Sequence, residues 1–148
     1  PKTDLPVIRE GGATTTVIIG TYQGQQSPVS VLPETLYLNQ EIEAGTSTEL
    51  AALASERGVY LVGGDLSIQG CPIDIGSMAV INEAATPELT SSNGAHLLVI
   101  GGAPVSRRHL WWNFVHSDRD RIEEAKQAWK NGEFGLVPGD DEFIPLPE

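Results

Sequence analysis

Glycine and proline divide most of this sequence into short segments, and that division constrains the fold more than any other feature. The chain has 16 glycines and 10 prolines among 148 residues. Up to position 105 they separate short runs rich in β-branched and aromatic residues, a pattern typical of an antiparallel sandwich or barrel. The predicted strands are Thr15–Tyr22, Thr35–Ile42, Val59–Val62, Asp65–Ile68, Ser77–Asn82, His96–Ile100 and Leu110–Val115. The sequence therefore predicts an all-β fold.

Two features refine the strand prediction. In the segment 35–42, Leu36, Leu38 and Ile42 alternate with polar neighbours, so one face of this strand is predicted to be buried. The pairs Gly63-Gly64 and Gly101-Gly102 follow apolar runs and precede no helical pattern. We interpret both pairs as hairpin turns.

One helix is predicted near the end of the chain. Ser117 or Asp118 can cap its first turn, and apolar residues then recur at spacings of three and four along one side. Asn131-Gly132 is a typical end of such a helix. The segment Ser47–Ala54 is ambiguous, because Thr46 to Glu49 resembles a capping box while the chain around it is rich in β signals.

Charge and composition exclude several classes of protein. Nine basic and 20 acidic side chains give a net charge of −11, which repels a nucleic acid backbone. The longest apolar runs are too short to cross a bilayer, and we expect neither membrane nor nucleic acid as a partner. Because Cys71 has no second cysteine to pair with and no export signal is visible, a cytoplasmic location is expected.

The chemistry-bearing residues form no recognised catalytic motif. His96, His109 and His116 are separated by 13 and 7 residues, spacings that do not place metal ligands on one face of a strand or helix. Cys71 stands in a Gly-Cys-Pro turn without a positive neighbour to activate its thiol. We predict no catalytic residue and no metal ligand among them.

The paired carboxylates are weak candidates for acid–base catalysis. Glu41 pairs with Glu43 on one strand, and Asp140 with Asp141 in the tail, but acid–base catalysis needs a desolvated carboxyl group. Glu41 is the better candidate, because the interior of a barrel could enclose it. Glu41 and Tyr60 are therefore the residues that we consider for a barrel cavity.

The segment HLWWNFV carries the strongest feature that a plain core does not explain. In a single strand, Trp111 and Val115 point one way while Trp112 and Phe114 point the other, so both faces need cover. One face can pack on the core of this chain and the other on the helix that carries Trp129. Alternatively, the second face meets another domain or subunit. We predict Trp111, Trp112 and Phe114 as domain-contact residues.

Leu97 to Glu148 resembles the C-terminal end of the pirin family, and the stretch from Gly24 through Leu36-Tyr37-Leu38 is similar to the start of that family's second domain. Pirins are bicupins, with two β-barrel cupin domains in tandem, and the first binds iron through three histidines and a glutamate. The resemblance implies that residues 1–148 are one C-terminal cupin, a double-stranded β-helix or jelly-roll-like barrel with a C-terminal helix. It also implies that the N-terminal metal-binding cupin is absent from this sequence.

The resemblance can be compared with the residues themselves. Aligning the cupin motifs on Gly45 and Gly76 places Ala51, Leu53 and Ala79 where the family's histidine ligands stand. Alkyl side chains cannot bind a metal, so we expect no cofactor in this chain and iron only in the missing cupin. The same alignment favours an extended conformation for Ser47–Ala54.

Three functions remain open. In the first, the chain is the structural half of an iron-dependent dioxygenase similar to quercetin 2,3-dioxygenase, inactive by itself, with the N-terminal cupin or a second copy of the chain as partner. In the second, it is a protein-interaction or regulatory module, similar to a transcription cofactor. In the third, the barrel keeps a small-molecule ligand of its own, near Glu41 or Tyr60.

Overall fold

The computed structural model describes residues 4–31, 34–51, 54–82, 85–140 and 142–147. The chain divides into two compact units, Pro1–Pro104 and Val105–Glu148. Every helix or strand element described in the first unit is a strand, and the described part of the second unit holds a hairpin and a helix.

Twelve strands are described in the first unit, and they follow the turn signals of the sequence. They are β1 (Val7–Glu10), β2 (Ala13–Ile19), β3 (Thr21–Tyr22), β4 (Gln25–Gln26), β5 (Thr35–Ile42), β6 (Thr46–Glu49), β7 (Glu56–Gly64), β8 (Leu66–Ile68), β9 (Cys71–Ile73), β10 (Met78–Ile81), β11 (Glu88–Ser91) and β12 (Ala95–Gly102). The all-β prediction is confirmed.

Two large antiparallel sheets and the small two-stranded sheet β3-β4 build this unit. The larger has the order β1-β2-β5-β12-β7-β10, and the smaller has the order β6-β11-β8-β9. Apolar side chains from both sheets form one buried cluster. The alternation in β5 matches the predicted face, since Leu36, Leu38 and Ile42 are all buried.

The interpretation of the two glycine pairs as hairpin turns was wrong. Gly101 and Gly102 lie within β12, where they pair with Arg57 and Glu56 of β7. A Cβ atom on Gly101 would lie 2.8 Å from the carbonyl oxygen of Glu56, so glycine is needed there for close approach. Gly64 ends β7 opposite Ala95, and β8 begins in the other sheet after one intervening residue.

The ambiguous segment begins as a strand, while Leu50, Ala51 and Ala54 belong to neither a strand nor a helix. Thr46–Glu49 forms β6 and pairs with β11, so tertiary pairing overrides the helical propensity of the local sequence. Ala52 and Leu53 lie outside the described residues.

The second unit begins with a hairpin where the sequence predicted one strand. β13 (His109–Trp111) pairs with β14 (Phe114–His116), and the prediction of a single strand over Leu110–Val115 was therefore wrong. Trp112, the first residue of the two-residue turn, has a φ of 50°. A bulky residue seldom takes this conformation, so local propensity did not indicate a turn here.

The predicted helix is confirmed as α1 (Arg119–Lys130). The Asp118 side chain caps it by accepting a hydrogen bond of 2.9 Å from the backbone N–H of Asp120. Asn131 follows the last turn, as predicted. A Lys126–Glu123 ion pair of 2.8 Å lies on the exposed side.

Candidate functional site

Hydrocarbon lines most of the interior between the two sheets. The largest buried side chains include Leu38, Leu61, Leu89 and Leu97, each less than 2% exposed. Among the described residues, no group of three or more histidine, cysteine, aspartate or glutamate side chains is placed to hold a metal ion. The apolar side chains of this interior pack the two sheets against each other.

The positions that the resemblance aligned with metal ligands carry alkyl groups. Ala51 is half-buried, and Ala79 packs against the core from β10. Leu53 lies outside the described residues. Neither alanine can donate a lone pair, so these positions do not fit an iron ion.

Gln40 brings a polar group into this interior. It lies in β5 between Leu38 and Ile42 and is 4% exposed. Its Nε2 donates a hydrogen bond of 3.1 Å to Oγ1 of Thr15 on the neighbouring strand β2, while its Oε1 is buried without a partner. A buried acceptor without a donor costs about 1–3 kcal/mol, so this oxygen is an unsatisfied polar group in the interior.

Glu41 and Tyr60, the predicted cavity residues, lie on the opposite face of the larger sheet. Glu41 is exposed, while the buried side chains of β5 are its even-numbered neighbours. Tyr60 is half-buried between Val59 and Leu61, both of which point into the core. The structure therefore corrects this prediction, because successive strand residues face opposite sides of the sheet. The interior residue beside Glu41 is Gln40, which has no charge.

Arg57 is the most deeply buried charged residue described, at 1% exposure. Its Nη1 donates to the backbone carbonyl oxygens of Leu50, at 3.3 Å, and Ala51. Its Nη2 donates to those of Asn82, at 3.3 Å, and Ala85. Burial lowers the pKa of this guanidinium group. The side chain thus joins two loops at one end of the first unit, which is a structural role.

Asp65 organises the turn before β12. Its carboxylate accepts hydrogen bonds from the backbone N–H groups of Ser92, at 2.9 Å, and Asn93, at 2.8 Å. These hydrogen bonds hold the pKa of Asp65 below its ordinary value. The carboxylate is a turn anchor rather than a candidate acid or base.

The hairpin of the second unit brings two of the three histidines together. His109 and His116 are direct cross-strand partners. In a hairpin with a two-residue turn, the third pair counted from the turn is separated by seven positions in the sequence. Nδ1 of His116 already accepts a hydrogen bond of 2.9 Å from the backbone N–H of Asp118. His96 lies in the first unit, where its Nε2 is 2.7 Å from Oδ1 of Asn39.

The remaining candidates are at the surface. Cys71 is an exposed free thiol. Glu43 and Asp140 are exposed, and Asp141 lies outside the described residues. The three described members of this set, Cys71, Glu43 and Asp140, are therefore not enclosed in the protein.

The aromatic residues of the hairpin pack within the second unit. Trp112 meets Trp129 of α1 edge-on, with ring centroids 5.0 Å apart. Phe114 lies 6.2 Å from the same tryptophan, and Trp111 stacks on Phe114 at 6.3 Å. Nζ of Lys126 lies 4.6 Å from the centroid of Trp111. The predicted contact with the helix is confirmed, whereas contact of Trp111, Trp112 and Phe114 with another domain stays a prediction.

No helix in the described part of the chain is long and apolar enough to span a membrane.

Comparisons with known proteins agree with this architecture. Residues 37–135 match the family model of the pirin C-terminal cupin domain. The chain is 36% identical over 146 residues to a pirin-like protein of Caulobacter vibrioides, covering 98% of this chain and 51% of that protein.

Solved structures show the same fold over about half of their own length. A quercetin 2,3-dioxygenase of Acinetobacter baumannii superposes with a TM-score of 0.88 at 28% identity, over 98% of this chain and 50% of that one. A second quercetin 2,3-dioxygenase structure from that organism, with 20% identity, gives a TM-score of 0.83 over 91% of this chain and 49% of that one. The cupin-type fold is thereby confirmed, and the chain spans about half the length of the relatives it matches. The chain belongs to the pirin family, in which it corresponds to the C-terminal cupin domain.

Proposed function

We propose that residues 1–148 act as the metal-free C-terminal cupin of a longer pirin-like protein, the structural half of an iron-dependent oxidoreductase similar to quercetin 2,3-dioxygenase. The observation that carries this proposal is the nature of the two aligned ligand positions, since Ala51 and Ala79 offer only alkyl groups. Iron would then be bound by the N-terminal cupin domain, and this chain would contribute no catalytic residue.

The half-length match to the relatives supports a two-domain arrangement. The pirin-like protein of Caulobacter vibrioides and the quercetin 2,3-dioxygenase of Acinetobacter baumannii are both about twice as long as the matched region. The whole protein would therefore place a second cupin domain beside this one.

A surface of the first unit suits such a contact. On the outer face of the larger sheet, Met78, Val80 and Ile100 are 48%, 73% and 42% exposed. Met78 and Val80 lie on β10 and Ile100 lies on β12, the two neighbours of β7, and both Val80 and Ile100 pair with Gly58 of β7. Burial of this apolar face would stabilise a second domain by the hydrophobic effect.

The experiment compares the isolated chain with a fusion to the N-terminal half of the Caulobacter vibrioides relative. Both are prepared with ferrous iron, and iron content and oxygen-dependent quercetin consumption are measured. We expect iron and turnover only in the fusion. Stoichiometric iron in the isolated chain, or quercetin turnover by it, would contradict the proposal.

A further inference from the structure

The larger sheet ends at β10, an edge strand with one free side. In the strand order β1-β2-β5-β12-β7-β10, only β7 pairs with it among the described strands. The backbone N–H of Leu61 in β7 donates a hydrogen bond of 3.1 Å to the carbonyl oxygen of Ser77. Hydrogen-bonded pairs alternate along an antiparallel ladder, so Ala79 also bonds to β7. The N–H and C=O groups of Met78 and Val80 therefore point away from β7, toward the free side.

The two large sheets have four edge strands in the described part of the chain, and β10 differs from the other three. β1 carries the exposed charges of Arg9 and Glu10, and β6 carries that of Glu49. β9 has Pro72 at its centre, which lacks the N–H group that a further strand would need. Charges and proline at an edge oppose pairing with another chain. β10 has neither, so this edge is open to a further strand.

The side chains at this edge are suited to a partner as well. Met78 and Val80 are exposed, and no residue of the segment 75–82 is charged or a proline. An uncharged segment of this kind, rich in residues that favour strands, pairs readily with another strand when its edge is exposed. The edge therefore offers both backbone groups and apolar side chains.

We propose that β10 pairs with β10 of a second copy of this chain and joins the two larger sheets into one continuous sheet. The pairing is antiparallel about a two-fold axis at Ala79, so Met78 of each copy lies opposite Val80 of the other. The outward N–H and C=O groups of these two residues then all find partners across the axis. The added strand extends the sheet at its edge and leaves the outer face open, so this dimer does not depend on the contact proposed for an N-terminal cupin.

Two properties of the edge favour a second copy over an unrelated strand. The partner strand must present two outward-pointing residues that are two positions apart, and β10 supplies this pattern itself. Each copy also carries a net charge of −11, and pairing through β10 brings no carboxylate of one edge against another. Because the contact is two-fold, it uses the free edge of both copies and stops at a dimer.

The test measures the oligomeric state of the 148-residue chain by sedimentation equilibrium. The contact is short, so we expect a weak dimer of twice the 15.8 kDa chain mass, with a dissociation constant below about 1 mM. A monomer at every concentration up to about 1 mM, or oligomers larger than a dimer, would overturn the proposal.

Amide hydrogen exchange tests the strand pairing directly. As the chain concentration rises from about 20 µM to about 1 mM, exchange at Met78 and Val80 should slow at least about twofold, because their N–H groups are bonded only in the dimer. Exchange at Ala79, which is bonded to β7 in monomer and dimer alike, should stay the same. A dimer in which the Met78 and Val80 amides exchange as in the monomer would be held through another surface and would contradict the proposal.

A pair of variants locates the contact. Val80→Lys places a lysine on the outer face of the β10 edge and should weaken association at least about tenfold without loss of folding, because the side chain is exposed. Val7→Lys adds the same charge to an exposed position on β1, the opposite edge of the sheet, and should dimerise like the natural chain. Equal dimerisation of the two variants would refute the assignment to β10.

Discussion

Replacing Arg57 by methionine tests whether the first unit depends on a buried cation that joins two loops. Methionine fills the space of the aliphatic part of arginine but leaves the carbonyl groups of Leu50, Ala51, Asn82 and Ala85 without their donor. If one carbonyl in each loop stays buried and unpaired, the cost is about 1–3 kcal/mol each, or roughly 2–6 kcal/mol in all. A typical domain is stable by only about 5–15 kcal/mol, so the loss is large.

The measurement is urea unfolding followed by far-ultraviolet circular dichroism, combined with native-state hydrogen exchange of the amides in β7 and β12. With a denaturant dependence of about 2 kcal/mol per molar, Arg57→Met is expected to lower the unfolding midpoint by roughly 1–3 M. Hydrogen exchange at β7 and β12 reports on the first unit directly. Tryptophan fluorescence would not, because Trp111, Trp112 and Trp129 all lie in the second unit.

Two further variants make the interpretation specific. Arg57→Lys keeps the charge, but one ammonium group can reach only one of the loops, so an intermediate midpoint is expected. Arg9→Met removes an exposed arginine from β1 and should leave the midpoint nearly unchanged. Equal midpoints for Arg57→Met and Arg9→Met would refute the reasoning, because the buried hydrogen bonds would then contribute nothing net.

Three further predictions concern a turn, a glycine and the aromatic cluster. Because the folded pKa of Asp65 is lowered, its stabilising effect is present above the unfolded pKa, near 4, and is lost as the pH falls through the folded value. Asp65→Asn should flatten the acid side of a plot of stability against pH, and a plot unchanged from the natural chain would contradict this. Gly64→Ala would press the new Cβ against the Gly94 carbonyl at a φ of +83°, and it should lower the free energy of unfolding in urea by more than about 2 kcal/mol. Gly70→Ala has a similar φ of +76° but open space around the new Cβ, so it should cost only about 1–2 kcal/mol. Equal losses in the two variants would show that the contact with Gly94 is unimportant. Trp129→Phe removes the 2.8 Å hydrogen bond from Nε1 to the Ile144 carbonyl and should speed amide exchange in α1 severalfold, an effect that an unchanged exchange pattern would rule out.

Local signals in the sequence predicted much of the fold. The turn residues and alternating side chains located β5 at its observed bounds, and the capping residue and apolar spacing located α1. The alternation in β5 also placed Gln40 in the buried series, since it follows Leu36 and Leu38 at intervals of two. This signal could have identified the interior polar residue without any structure.

Other features could not be predicted, because they depend on distant parts of the chain. The hairpin in the second unit needs Trp112 at a positive φ, a conformation that packing against Trp129 helps to stabilise. Gly101 stands in a strand because a neighbouring strand passes too close for a side chain. Glycine in the sequence indicates freedom of the backbone but does not say whether a turn or a close approach requires it.

The sequence by itself determined the all-β architecture, because strand alternation and turn chemistry act over a few residues. Its resemblance to the pirin family implied which positions align with metal ligands, and the sequence shows alkyl groups there. Only the tertiary structure decided that Arg57 is buried, since the carbonyl groups that accept hydrogen bonds from its Nη1 and Nη2 come from loops on either side of it in the chain. The same holds for the unpaired oxygen of Gln40, because whether a polar atom finds a partner depends on which strands surround it.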